Sequence, residues 1–197
     1  NPDRGVLPAG RGLVEARFGA AFRDVLRRNG WVEDEPWTPL CRDLTGPVED
    51  CGRRIETIDT HHVRHEIVRD RVAVQRASFL NSTFTLERWQ AMAASPAYRR
   101  ARCLVAYDGE GHAVAATTVW SAGEGRPGLI EPLGTHRDHR GRGHGRAITI
   151  AAAAELQKMG ASSVAVCTPS SNVGGVVAYV SAGFDQLADV TDFRRPS

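Results

Sequence analysis

The sequence predicts a mixed α/β layer fold, and three observations lead there. From Arg53 onward the apolar pattern reads strand, two helices, an antiparallel run, then strand, helix, strand, helix, strand. A glycine- and arginine-rich stretch, HRDHRGRGHGRA at 136–147, sits between a strand pattern and a helix that is apolar almost all round. Finally, 197 residues with 42% hydrophobic and 24% charged side chains supply enough apolar material for a core.

Taken in order, residues 1–12 are rich in Gly and Pro and read as a lead-in. Residues 13–29 carry helical spacing, with Phe18, Phe22, Val25 and Leu26 on one face and Gly30 as the stop. WVEDEPWTPLCRDL (31–44) holds two prolines and reads as an edge strand or a bent connection, followed by a linker at 45–52. RRIET opens the main unit as a strand. Helices are expected over 67–80 and 85–94, the second started at Thr85 and ended by Pro96. RCLVAYD and HAVAATTVW form a hairpin across DGEG, and LIEPLGTH is the next strand. AITIAAAAELQKM is a buried helix closed by Gly160, SSVAVCT a buried strand, NVGGVVAYVSA a weaker helix ended by Gly183, and FDQLADVTDF a final strand or strand pair. Phe79, Phe84, Trp89 and Trp120 are expected in the core, some of them also walling a pocket.

Net charge is +2, so whole-molecule electrostatics point to neither nucleic acid nor an anionic membrane as a partner. Lys158 is the single lysine among the 25 basic residues, a bias read as compositional. Cys41, Cys51, Cys103 and Cys167 are widely spaced without a C-x-x-C, which favours free thiols in a reducing compartment. No apolar run approaches the ~18 residues of a membrane span, and no leader pattern is recognisable, so a cytoplasmic protein is expected. The start at Asn1–Pro2 without Met reads as a trimmed or partial chain.

The glycine loop lies where a strand hands over to the first turn of a helix. Unpaired N–H groups and the positive end of the helix dipole converge there, so an anion, usually phosphate, is the expected guest. Glycines let the backbone bend into an anion-cupping nest, and Arg140, Arg142 and Arg146 can add charge-assisted contacts. The nucleoside-triphosphate pattern fails for want of a lysine. The dinucleotide pattern fails because its third glycine falls on Arg146.

R-x-x-G-x-G is met by Arg140, Gly143 and Gly145. The stretch LGTHRDHRGRGHGRAITIAAAAEL resembles the fourth strand, pyrophosphate loop and third helix of the GCN5-related N-acetyltransferase (GNAT) family. Downstream, Asn172 precedes Tyr179 by seven residues, and AYVSAGF is similar to that family's Tyr-x-x-x-Gly-Phe ending. The likeness is specific over 129–184 and architectural over 53–128. It implies a mixed, mostly antiparallel central sheet with helices on both faces, splayed between its fourth and fifth strands. It further implies an acetyltransferase using acetyl-CoA as cosubstrate and a small-molecule primary amine as acceptor, by direct transfer in a ternary complex.

On that resemblance, the backbone of Leu133, Gly134 and Thr135 lines the acetyl group and the pantetheine arm. The backbone of Arg140, Gly141, Arg142, Gly143, His144, Gly145 and Arg146 holds the pyrophosphate. Asn172 contacts the arm, and Tyr179 protonates the leaving thiolate. The ammonium of an alkyl amine must lose a proton before attack. Glu131 is the expected base, two residues before Leu133 and hence on its strand face; the alternatives are Glu131 paired with an arginine or holding the substrate ammonium, and His136 as a second candidate base that otherwise reads as a solvated loop histidine. Gly174 and Gly175 depart from the small residues usual in the family, at roughly 1 kcal/mol each against alanine. Two other functions stay open: a non-catalytic acyl-CoA-binding or regulatory module, and an acyltransferase for an aminoglycoside- or mycothiol-precursor-type acceptor.

No metal site is expected. His61, His62 and His65 have no cysteine near and read as a polar loop entering a helix. VLRRNGW (25–31) can be laid on AYVSAGF (178–184), which casts residues 1–52 either as the tail of a degenerate first GNAT unit or as an ordinary helix with a glycine stop, before a GNAT domain over 53–197. Only 13 residues follow Phe184, so the N-terminal segment or a second chain, as in a homodimer, is expected to complete the sheet.

Overall fold

The computed structural model describes residues 12–17 and 19–196. In chain order the elements are β1 (Leu13–Val14), α1 (Ala20–Arg28), β2 (Val32–Asp43), β3 (Arg54–Ile58), α2 (His65–Ser78), α3 (Leu86–Ala93), β4 (Ala101–Tyr107), β5 (Ala113–Ser121), β6 (Pro127–Thr135), α4 (His144–Lys158), β7 (Ser163–Pro169), α5 (Val173–Ser181), β8 (Asp185–Gln186) and β9 (Val190–Arg194). The chain divides into two compact units. The larger holds Leu40–Val166 and Val177–Asp185; the smaller holds the chain up to Pro39, Cys167–Val176 and the chain from Gln186 on.

In the larger unit β3, β4, β5 and β6 form a continuous antiparallel ladder, and β7 joins β6 in parallel. Side chains alternate across it. Ala101, Cys103 and Val105 of β4 pack with Val68 and Val74 of α2 and Trp89 of α3 on one face. The other face takes α4, where Gly128 of β6 is so close to Leu156 that an added Cβ would lie 2.5 Å from it. Buried Ile148, Ile150, Ala151, Ala152, Ala153 and Leu156 spread round most of the α4 surface, the pattern of a helix enclosed by its surroundings. The expected mixed, mostly antiparallel sheet with helices on both faces is thus observed. β6 and β7, fourth and fifth counting from β3, pair only from Pro127–Ser163 to Leu129–Ala165.

In the smaller unit β1, β9 and β2 pair antiparallel, with Leu13 opposite Arg194 and Glu33 opposite Phe193. Ala16, Leu26, Trp31 and Phe193 are its buried cluster. A register shift between Glu33 and Pro36 lies at the first proline of β2, so the segment is a twelve-residue strand with a bulge. The N-terminal helix begins only at Ala20. Gly19, at φ +92°, turns the chain into it, and Leu13–Val14 pairs with β9 instead of extending the helix. Of the expected helix face Leu26 is fully buried, whereas Phe22 and Val25 are 46% and 37% exposed; Phe18 lies outside the described residues.

α1 and α5 end with the same two bonds: Trp31 N–H to Leu26 C=O with Gly30 N–H to Arg27 C=O, and Phe184 N–H to Tyr179 C=O with Gly183 N–H to Val180 C=O. α4 ends the same way, through Ala161 to Leu156 and Gly160 to Gln157. The geometry behind the VLRRNGW and AYVSAGF similarity is therefore that of a left-handed glycine closing a helix, found at Gly30, Gly160 and Gly183 among the described residues.

Candidate active site

The site begins where β6 leaves β7. From Ile130 to Thr135, β6 has β5 on one edge and no β7 ladder on the other, so that edge offers backbone groups to a ligand. β6 carries one extra residue here: Thr117 opposes Leu133 and Val119 opposes Ile130, so Glu131 and Pro132 together face Thr118. This bulge interrupts the alternation on which a shared face for Glu131 and Leu133 was argued, and Glu131 is exposed within it. The carbonyls of the bulge are satisfied by side chains of β5. Trp120 Nε1–H donates to Glu131 C=O at 2.7 Å, and the Thr117 hydroxyl donates to Pro132 C=O at 3.0 Å. Gly134 is required by packing, since an added Cβ would stand 2.5 Å from Ser78 Cβ and 3.0 Å from the Phe79 ring. Phe79 is 39% exposed, so it walls this end of β6 and is not a core residue.

The loop after Thr135 makes a short 3₁₀ turn at Arg137–His139. It then enters α4 through Gly141 and Gly143, both left-handed at φ +75° and +79°. A Cβ on either glycine would meet no atom within 4 Å, so the glycines serve the backbone bend and leave open space outside it. Gly143 is the N-cap of α4 and no side chain caps the helix. The first carbonyl bond from inside it is Ala147 N–H to Gly143 C=O at 3.0 Å, and the preceding donors of the first turn face outward with the positive end of the dipole. Gly145 lies 3.4 Å from Thr135 Oγ1 and 3.5 Å from Ala178 Cβ, measured from an added Cβ, and so holds the helix start close to the end of β6 and to α5.

The loop arginines divide their work. Arg140 donates to Ser78 C=O at 2.6 Å and Arg137 to Ala77 C=O at 2.9 Å, so both cap the C-terminal end of α2. Arg146 donates to Ser181 C=O at 2.8 Å and stands 3.7 Å from Glu49. Arg142 instead lines a cavity of about 890 Å³ beside the loop. His144 is 5% exposed, and burial, with Arg53 and His139 adding to it, holds its imidazole below the usual histidine range.

Asn172, in the smaller unit, is committed within its own segment. Its Oδ1 accepts from Gly175 N–H at 3.2 Å and its Nδ2 donates to Thr168 Oγ1 at 2.9 Å, capping the start of α5. The glycine at 175 follows from this: a Cβ there would lie 2.4 Å from Asn172 Nδ2, whereas Gly174 has open space. Tyr179, in the larger unit, is buried with its ring 5.9 Å from that of Phe184.

The acetyltransferase (GNAT) family model matches residues 65–184. The chain belongs to the GNAT family. Solved structures agree at the level of fold. A GCN5-related N-acetyltransferase from Sphaerobacter thermophilus superposes with a TM-score of 0.68 at 21% identity, over 94% of this chain and 59% of that one. A tandem GNAT protein from the clavulanic acid biosynthesis pathway gives 0.67 at 16%, over 95% and 60%. A GCN5-related N-acetyltransferase from Kribbella flavida gives 0.65 at 16%, over 90% and 65%. The chain thus spans about three fifths of the length of these structures. No curated protein matches it.

The family model is that of an acetyltransferase, and acetyl-CoA is the cosubstrate that family implies. The open edge of β6, the two left-handed glycines and the uncapped start of α4 suit the arm and pyrophosphate of such a ligand. Reading the sequence missed the bonds from Thr117 and Trp120 that hold the bulge, and the α2 cap made by Arg137 and Arg140. A motif records which residues form a loop, but not which distant carbonyls their side chains reach.

Proposed function

We propose that the protein is an acetyl-CoA-dependent N-acetyltransferase that moves an acetyl group directly to a primary amine of a small molecule within a ternary complex. The reading rests above all on one observation: the β6 edge left unpaired after Leu129 leads straight into the Gly141–Gly143 turn and the uncapped α4 start.

The thioester lies along Leu133, Gly134 and Thr135, whose backbone polarises its carbonyl and stabilises the oxyanion formed on attack. The pyrophosphate lies on the N–H groups from Gly141 to Arg146, with Arg142 as the loop arginine turned to neither α2 nor α5. The amine nitrogen attacks the thioester carbon, the C–S bond breaks, and Tyr179 gives its phenolic proton to the departing thiolate. Exposed Glu131, directly or through water, takes the proton that the ammonium loses. Glu131→Gln is then expected to shift the pH–activity profile with little change in folding, and an unaltered profile would take Glu131 out of that role.

Calorimetric titration with acetyl-CoA, with NADH and ATP as controls, tests the reading. Selective micromolar binding followed by thiol release with members of an amine panel is expected. Absence of acetyl-CoA binding would overturn it.

A further inference from the structure

We propose that Arg71 anchors a carboxylate carried by the acceptor amine, so that the substrate class is amino acids and related amines with a carboxylate a few carbons from the nitrogen. The assignment rests on the transferase reading above and narrows its acceptor. Arg71, on α2, is 1% exposed and is the largest fully buried side chain among the described residues.

Its guanidinium is buried without a counter-ion. Nη1 donates to Gln75 Oε1 at 2.5 Å and Nη2 to Thr118 Oγ1 at 3.0 Å, both neutral partners, and Nε is buried with no acceptor. The ionisable groups that act on it are Cys103 and Tyr98, with no carboxylate among them. Asp70, its neighbour in the chain, instead accepts from the Tyr107 hydroxyl at 2.7 Å. Arginine keeps its proton inside a protein, so burial leaves a lone positive charge with one N–H unsatisfied. Such a charge is strongly unfavourable, and a methionine there would fill the same core without it. A planar N–H fork held in that position is shaped for a carboxylate.

Its place ties the anion to the reaction. Arg71, Gln75 and Ser78 fall on one stripe of α2, at i, i+4 and i+7. At one end of the stripe Ser78 packs on Gly134, in the stretch that takes the thioester. At the other end Arg71 binds Thr118, the β5 residue that Glu131 and Pro132 of the bulge face. Trp120, whose indole holds the Glu131 carbonyl, packs on the same cluster of α2, α3 and β4 side chains. The two charged ends of the acceptor then have one group each: the ammonium meets exposed Glu131, and the carboxylate meets Arg71. Over the guanidinium lies the Phe84 ring, its centre 5.6 Å from Arg71 Cζ, and Phe84 is only half-buried. It belongs to the segment joining α2 to α3, where Leu80 is 85% exposed. The ring gives the cation a π face in place of an anion, and rotation of that one side chain bares the guanidinium to the acceptor.

The test offers glycine, β-alanine, 4-aminobutyrate and 5-aminopentanoate, each against the alkylamine of equal carbon number, in a thiol-release assay with acetyl-CoA. At least one acid is expected to exceed its alkylamine in kcat/KM by about tenfold or more. Arg71→Met should bring that ratio close to one, through the KM of the acid more than through kcat. Without ligands, Arg71→Met should melt no lower than the parent by circular dichroism, because it removes a buried charge; an arginine kept for structure would lose stability. The assignment falls if no acid exceeds its alkylamine, if the preference survives in the folded Met variant, or if that variant melts well below the parent. Acetyl-CoA binding is measured alongside by calorimetry. Its absence overturns the transferase reading and this assignment with it, whereas binding without a preference for the acids overturns the assignment alone.

Discussion

Two helices of this chain begin in opposite ways. α5 starts under Asn172, whose side chain takes the Gly175 N–H and is itself held by Thr168. α4 starts under Gly143, which has no side chain to offer, at the end of a turn with two left-handed glycines. The first helix has a donor of its opening turn satisfied locally. The second presents its opening donors and its dipole to whatever binds. A capped start stabilises the fold, whereas an open start leaves that interaction for a ligand. The glycines divide accordingly: Gly175 makes room for a cap, while Gly141 and Gly143 keep space clear.

The sharpest way to break the contrast is Gly143→Glu. It puts a carboxylate where the anion would sit; the side chain has open space, and the left-handed φ of +79° adds about 1–2 kcal/mol of strain, so circular dichroism accompanies the titration. Loss of two charge-assisted bonds at about 1.5–3 kcal/mol each predicts at least a hundredfold weaker acetyl-CoA affinity by calorimetry. Tyr179→Phe, at the far end of α5, should leave acetyl-CoA binding unchanged and lower kcat by roughly a hundredfold in a thiol-release assay. Asn172→Ala should cost about 1 kcal/mol in denaturant unfolding, the worth of one cap; a large parallel fall in acetyl-CoA affinity would add a cofactor contact to its capping role. The smallest effect separates the two glycines of α5. Gly174→Ala, into open space, should stabilise by about 0.5–1 kcal/mol. Gly175→Ala should gain nothing, because its methyl would displace the Asn172 amide.

Much of this molecule was legible in its sequence wherever the cause is local. The strands from Arg54 to Thr135, the start of α4 behind its glycines and the glycine stops at 30, 160 and 183 follow from periodicity and from φ angles that only glycine adopts freely. The early N-terminal helix was read too long because helical spacing over 13–29 does not reveal that Leu13–Val14 finds a partner in β9, some 180 residues on. The alternation from Glu131 to Leu133 is interrupted for a similar reason: a bulge is a property of two strands together.

By itself, then, the sequence determined the order of elements, the backbone shape of the loop and the family to which both belong, because backbone dihedrals and apolar periodicity act over a few residues. Only the tertiary structure decided what the side chains of that loop do. Arg140 reaches the end of α2, 62 residues away in sequence, while Arg142 faces the cavity. Asp108 and His112 meet His139 because the β4–β5 turn folds against the loop. Such partnerships depend on which distant groups arrive within a few ångströms, and hydrogen bonds and ion pairs fall away within that distance.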